Sequence, residues 1–135
     1  MKIALITDTH WGVRNDNQSF LDMINRFHGE VFFPYIKEHD IDTVIHLGDI
    51  VDRRKYISYT TLRDMNKNFI EKCAKENLDL HILIGNHDVT YKNTNDVNSM
   101  NELYNEDVQG YSEAQEVEFD GCKILFLPWI NNENL

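Results

Sequence analysis

Three short clusters in this chain gather ligand-type side chains: Asp8-Thr-His10, Gly48-Asp49-Ile-Val-Asp52-Arg53 and Gly85-Asn86-His87-Asp88. Carboxylates, imidazoles and a carboxamide oxygen suit hard or borderline divalent cations such as Mn²⁺ or Fe²⁺. Asp8 and His10, two positions apart, can hold one cation if the backbone there is still extended. Asp49 can bridge two cations through its two oxygens, and Asn86 adds a neutral carbonyl oxygen to the second. Two cations about 3.5–4 Å apart clamp an in-line attack on phosphorus, one activating a water and both neutralising phosphoryl oxygens. His87 is then placed to protonate the leaving alkoxide, with Asp52 orienting its imidazole through a charge-assisted hydrogen bond. Arg53 suits bidentate contact with a phosphate oxygen, and Asp88 is grouped with it on the substrate side. Each cluster alone is common, since D-x-H arises by chance and Gly-Asp often marks only a turn. Their joint occurrence in this order is specific.

The elements that must position these clusters are short apolar strands. Residues 2–7, 43–47 and 79–84 are apolar and rich in β-branched side chains, and each runs directly into a cluster. In open α/β sheets, ligands gather outside the carboxyl ends of the strands, so three such ends point to one shared site. Between the first two strands, Ser19-x-x-Asp22 has the form of a capping box. Phe20, Ile24, Phe27, Val31 and Tyr35 then recur every three or four residues, predicting an amphipathic helix of about five turns. A second helix is expected from Thr61 to Asn77, with Leu62, Met65, Phe69 and Cys73 on one face. This β-α-β-α-β order implies a parallel core with right-handed crossovers. Residues 89–96 read as loop and 97–104 as a short helix. Alternation through Glu116–Phe119, the Asp120-Gly121 turn and the following apolar run predict a β-hairpin over residues 116–127. The fold class is therefore α/β, a β-α-β-α-β core plus a C-terminal hairpin, in one domain spanning 1–135.

Bulk properties narrow the class of function. Hydrophobic residues make up 41% of the chain, enough for a packed core, while no apolar stretch nears the roughly 20 residues of a membrane span. No membrane association and no signal peptide are expected, and Cys73 and Cys122 read as buried free thiols of a reducing cytoplasm. A net charge of −10 repels phosphate backbones and argues against nonspecific nucleic-acid binding without help. Arg14, Arg53, Arg54 and Lys55 nevertheless lie next to the first two clusters, where phosphate contact and an ordinary solvated loop are about equally consistent with them. His46 and His81 fall inside strands and read as satisfied core histidines. His28 and His39 read as solvated, or as favourable charges at a helix C-terminus.

Taken together, the three clusters resemble the signature of the calcineurin-like metallophosphoesterases: D-x-H, then G-D-x-x-D-R, then G-N-H-D or G-N-H-E. Within that superfamily the chain is most similar to the SbcD-type DNA repair nucleases, including those of T-even-like phages. That likeness rests on residues 80–88 followed by Tyr91-Lys-Asn93, and on Val117-Glu-Phe-Asp-Gly-Cys122 followed by Leu127-Pro-Trp129 and Glu133-Asn134. The resemblance implies a manganese-dependent exonuclease or endonuclease subunit, paired with an SbcC-type ATPase, that processes DNA ends in recombination and repair. It implies that Asp8, His10 and Asp49 hold one metal, that Asp49 and Asn86 hold the second, and that His87 assists the leaving group. Mn²⁺ is the expected metal, with Fe²⁺ or Mg²⁺ as substitutes. Many repair-branch relatives carry a histidine where this chain has Asp52.

The family also completes its site with later histidines, a lone one and then a G-H-x-H pair, whereas no histidine follows His87 here. The resemblance thus covers about half of a catalytic domain and implies weak metal binding and little turnover from these residues alone. A missing C-terminal half would complete it, and the sheet edge left exposed without that half predicts self-association. Two other readings stay open. One is a phosphatase or small-phosphodiester hydrolase of the same superfamily, which the Asp52-Arg53 pair and the acidic surface suit. The other is a catalytically incomplete fold that binds a partner chain.

Overall fold

Residues 2–52, 58–83, 89–91, 94–98, 109–128 and 130 are described by the structure, a computed structural model, without the side chains of 15, 16, 89–91 and 94–98. Four strands form one parallel sheet in the order β1 (Ile3–Ile6), β2 (Thr43–His46), β3 (Asp79–Leu83), β6 (Gln109–Tyr111). The first three are those expected from the apolar runs, and they pair as the βαβ order requires. The hairpin also forms: β7 (Gln115–Phe119) and β8 (Cys122–Phe126) pair antiparallel around Asp120 and Gly121, with φ of 51° and 85°. Positive φ at both central residues is what the tightest hairpin turn demands, and Asp-Gly supplies it at low cost.

Where 89–96 reads as loop and 97–104 as helix, the chain instead forms β4 (Val89–Tyr91) and β5 (Thr94–Asn98), an antiparallel pair. Of the segment 97–104, residues 97 and 98 belong to β5 and the rest lie outside the described residues. Local polarity misled here, because cross-strand pairing, not propensity, decides so short a ribbon.

Helix follows β1 in two pieces. A single turn, α1 (Val13–Asp16), precedes α2 (Gln18–Phe27), whose cap is Asn17 rather than Ser19; its side chain accepts from the Ser19 and Phe20 amides. After α2 comes a π turn over His28–Phe32, where the Phe33 amide reaches back five residues to the His28 carbonyl, and then α3 (Phe33–Glu38). Pro34 lies at the start of α3 and cannot donate, and the wider π turn before it relieves the clash of its ring with the preceding turn. The extra residue also shifts the helix phase. Leu21 and His28 set the buried face one position away from Phe27 before the shift acts, and beyond it Phe32, Phe33 and Ile36 are buried, so Phe27, Val31 and Tyr35, expected inside, are about half exposed. His28 accordingly lies in the core instead of in solvent: Nδ1 donates to the Ile24 carbonyl, and burial lowers its pKa.

The second helical stretch keeps its expected face. It consists of α4 (Tyr59–Met65), a π turn over Asn66–Ile70 and α5 (Glu71–Lys75), capped by Ser58, with Met65, Phe69 and Cys73 fully buried. Asn25 links the two helical stretches, donating to Asp64 and accepting from Asn68, each at 3.1 Å. Both helical stretches pack on one sheet face with Val44, Leu80, Ile82 and Trp11. The hairpin covers the other face, where Phe119 and Phe126 meet Ile45, Leu83 and Tyr111. Cys73 is a buried free thiol as expected, but Cys122, also unpaired, is exposed. No helix among the described residues is long and apolar enough to cross a membrane.

Candidate metal centre at the strand ends

Beyond β1 and β2 the chain does not diverge into separate loops. The two segments continue side by side, bonded as if the parallel ladder had been bent: Leu47 N to Ile6 O at 2.8 Å, Asp8 N to Gly48 O at 3.1 Å, His10 N to Asp49 O at 3.1 Å and Trp11 N to Ile50 O at 2.8 Å. Asp52 N then returns to Trp11 O at 3.0 Å, beside a parallel bridge between Trp11 and Val51. Burial of Trp11, Ile50 and Val51, none more than 1% exposed, anchors this extension to the core.

The extension is strongly kinked. Asp8, His10 and Asp49 have φ of 54°, 47° and 55°, and Gly48 has φ of 114°. Left-handed backbone costs an L-residue roughly 1–2 kcal/mol, least for Asp, Asn and His. The sequence reading brought Asp8 and His10 together on one side of an extended strand; they converge instead through successive left-handed turns. Such strain persists only where surrounding bonds over-determine it, and it concentrates at functional sites.

Through this geometry Asp8, His10 and Asp49 each offer one ligand atom, all within 4.8 Å of one another. His10 Nε2 lies 3.3 Å from Asp8 Oδ1, and its Nδ1 lies 3.4 Å from Asp52 Oδ1. Thr7 donates to Asp8 Oδ2 at 2.6 Å; that bond, opposed by burial and aided by Asp49 and His10, holds the Asp8 carboxyl below the usual carboxylate range. Asp8 thus stays an anion. Two carboxylate oxygens and one imidazole nitrogen are the donor set of a hard or borderline divalent cation, so these residues fit the metal the sequence suggested. Asp52 lies against His10, and the His87 it was expected to orient is outside the described residues. Asn86, His87, Asp88 and Arg53 fall outside the described residues. Thr7 was missed by the sequence reading, because a lone threonine carries no signal. Next to Asp8 opens a groove of about 400 Å³, walled by Ile6, Thr9, Met23, Ile24, Phe27 and His28.

A parallel α/β sheet with acidic and imidazole side chains gathered at its strand ends is the architecture of a metal-dependent hydrolase. The family model for calcineurin-like phosphoesterases matches residues 1–131, and the chain belongs to that family. It is 34% identical over 140 residues to exonuclease subunit 1 of Enterobacteria phage T4, a match covering 99% of this chain and 40% of the phage protein. The chain therefore spans less than half the length of that relative. Among solved structures, a protein of unknown function from Aquifex aeolicus matches 91% of this chain and 57% of its own, at 19% identity and a TM-score of 0.43.

Proposed function

We propose that this chain is the N-terminal, metal-binding portion of a phosphodiesterase that cleaves DNA, acting in the cytoplasm of a bacterium or phage-infected host. The observation carrying this reading is the convergence of Asp8, His10 and Asp49 on one point at the end of β1 and β2. The relative's description as an exonuclease subunit supports a nucleic-acid phosphodiester as the substrate, and the resemblance to DNA repair nucleases makes that nucleic acid DNA. In this reading Asp8, His10 and Asp49 hold one divalent cation, Mn²⁺ first, and Asp49 with Asn86 holds a second. When bound, such a pair supplies an activated water and neutralises charge on the phosphoryl oxygens.

The chain's own residues do the rest. Asp52, 3.4 Å from His10 Nδ1, fixes the imidazole plane so that Nε2 faces Asp8. Thr7 keeps one Asp8 oxygen occupied and so orients the carboxylate. His87 delivers a proton to the leaving oxygen, and Arg53 and Asp88 contact the substrate; these three roles rest on motif order. The partners are DNA, an SbcC-type ATPase and a polypeptide that supplies the remaining histidines.

Titrating the chain with Mn²⁺, followed by loss of the free-ion paramagnetic resonance signal, tests the centre. Binding should appear, and Asp49→Ala, which removes a ligand outright, should weaken it by at least roughly 10–100-fold, the range seen when only a supporting partner of a ligand is lost. Saturable binding that Asp49→Ala leaves unchanged would sink the assignment. Turnover on DNA ends versus small aryl phosphodiesters, with the completing polypeptide present, separates the nuclease from the small-substrate hydrolase.

A further inference from the structure

His46 ends β2 and is fully buried, with its ring edge against Phe69 at 6.0 Å between centroids. Three hydrogen bonds run through it. The Gly48 amide donates to Nδ1 at 3.1 Å, Nε2 lies 3.0 Å from Thr9 Oγ1, and Thr9 Oγ1 donates to the Ile50 carbonyl at 3.1 Å. Only one proton arrangement satisfies all three. An amide N–H can only donate, so Nδ1 is bare. The threonine proton is engaged by Ile50, so Oγ1 accepts from Nε2–H. The ring is therefore neutral with its proton on Nε2.

Thr9 sits between Asp8 and His10, while Gly48 and Ile50 flank Asp49. The relay thus grips the immediate neighbours of all three clustered residues, whose own backbone is left-handed. We propose that His46, locked as the Nε2–H tautomer, is a positioning residue that fixes the Asp8–His10 segment against Asp49 through Thr9. This rests on the metal reading above for its purpose, though not for its geometry. A burial role alone would be served by any apolar ring of similar size; it would not need one donor and one acceptor aimed at two different loops.

Two measurements decide it. Long-range ¹⁵N correlation at pH 7 should show His46 protonated on Nε2 only; an Nδ1–H or doubly protonated ring overturns the proposal. Thr9→Val keeps the side-chain shape and removes the hydroxyl. It should weaken Mn²⁺ binding roughly fivefold to tenfold, the scale of one or two lost hydrogen bonds, and Thr9→Ser should restore it to within about twofold of the parent chain. Mn²⁺ affinity unchanged in Thr9→Val, or not restored by Thr9→Ser, overturns the proposal. If the parent chain binds no Mn²⁺, the metal reading fails by itself. The Cα shifts of Asp8 and Asp49 then decide the brace: displaced in Thr9→Val and recovered in Thr9→Ser supports it, and unmoved in both overturns it.

Discussion

The two faces of the parallel sheet bury one histidine each from adjacent strands, and they hold them in opposite ways. On the helix face, the hydrogen-bond partners of His46 among the described residues are neutral, a glycine amide and a threonine hydroxyl, and burial above all pushes its pKa down to about 3 against the opposing pull of the Asp8 charge. On the hairpin face, His81 lies as deep, yet its Nε2 is 2.8 Å from the Asp79 carboxylate and its Nδ1 is 2.7 Å from the Tyr111 hydroxyl. Gln109 closes that ring, donating to Asp79 at 3.2 Å and accepting from Tyr111 at 3.3 Å. Depth does not separate these histidines, since neither is more than 2% exposed. What separates them is reach. Asp79 begins β3 and is half exposed, so a carboxylate can join the ring while keeping part of its hydration. Among the described residues no such half-wet carboxylate bonds to His46, which is hydrogen-bonded to the loops of the candidate site.

The largest expected difference between the faces is in packing. Phe69 is fully buried and touches His28, Phe32, Phe33 and His46, so Phe69→Ala should cost about 3–5 kcal/mol, near the upper end. Phe119, 8% exposed on a two-stranded hairpin that leaves Leu5 uncovered, has more room to collapse, and Phe119→Ala should sit near about 3 kcal/mol or below. Urea midpoints measure both. Equal losses would mean that the faces are equally rigid and would dissolve the contrast.

Acid should act on the helix face next. His46 has an ordinary value of 6.5 and a folded value of about 3, so between those limits the unfolded chain takes up a proton that the folded chain refuses. Its contribution is complete above pH 6.5 and declines as pH falls toward 3, by up to about 1.4 kcal/mol per pH unit. His28, also lowered by burial, acts in the same direction. Unfolding free energies taken from pH 7 to pH 5, above the range where carboxylates titrate, should fall, and His46→Gln should flatten the slope. A parent chain indifferent to pH across that window would contradict the neutral burial of both rings.

Much of this arrangement is legible in the residues themselves. Continuous apolar runs identify β1, β2 and β3 because a parallel strand is buried on both faces and needs no alternation. Asp120-Gly121 identifies the hairpin, since Asp-Gly is one of the few pairs that accept two left-handed residues at low cost. The clustering of Asp8, His10 and Asp49 follows from strand-end placement, yet the means by which they converge does not. Periodicity says nothing about a bent ladder or about left-handed φ at Asp and His. The first helix was misphased for a related reason: Phe20, Ile24, Phe27, Val31 and Tyr35 form a good stripe on an ideal helix, but the buried face runs through Leu21 and His28, and the residue inserted by the π turn before Pro34 then leaves Val31 and Tyr35 outside. β6, three residues of Gln-Gly-Tyr, carries no pattern at all and exists because β3 offers it an edge. His46 and His81 are both core histidines as read, though their bonding partners come from residues 37 and 30 positions away.

The smallest expected effect tests the hairpin face alone. Asp79→Asn keeps an oxygen to accept from His81 or Gln109 and removes the charge. The pair it weakens joins a buried ring to a carboxylate that is 49% exposed, so solvent already screens much of the attraction. The loss of stability should be no more than about 1 kcal/mol. The same substitution has a spectroscopic signature. Burial first, and the Asp79 charge second, push the Tyr111 hydroxyl's pKa up, so removing that charge should lower it without restoring the ordinary value. Ultraviolet titration of tyrosinate absorbance, with Tyr111→Phe as reference, measures the change. A destabilisation above about 3 kcal/mol would be the behaviour of a fully desolvated ion pair broken on one side. The hairpin face would then hold its histidine by charge at depth, and access to water would no longer explain why the two faces differ.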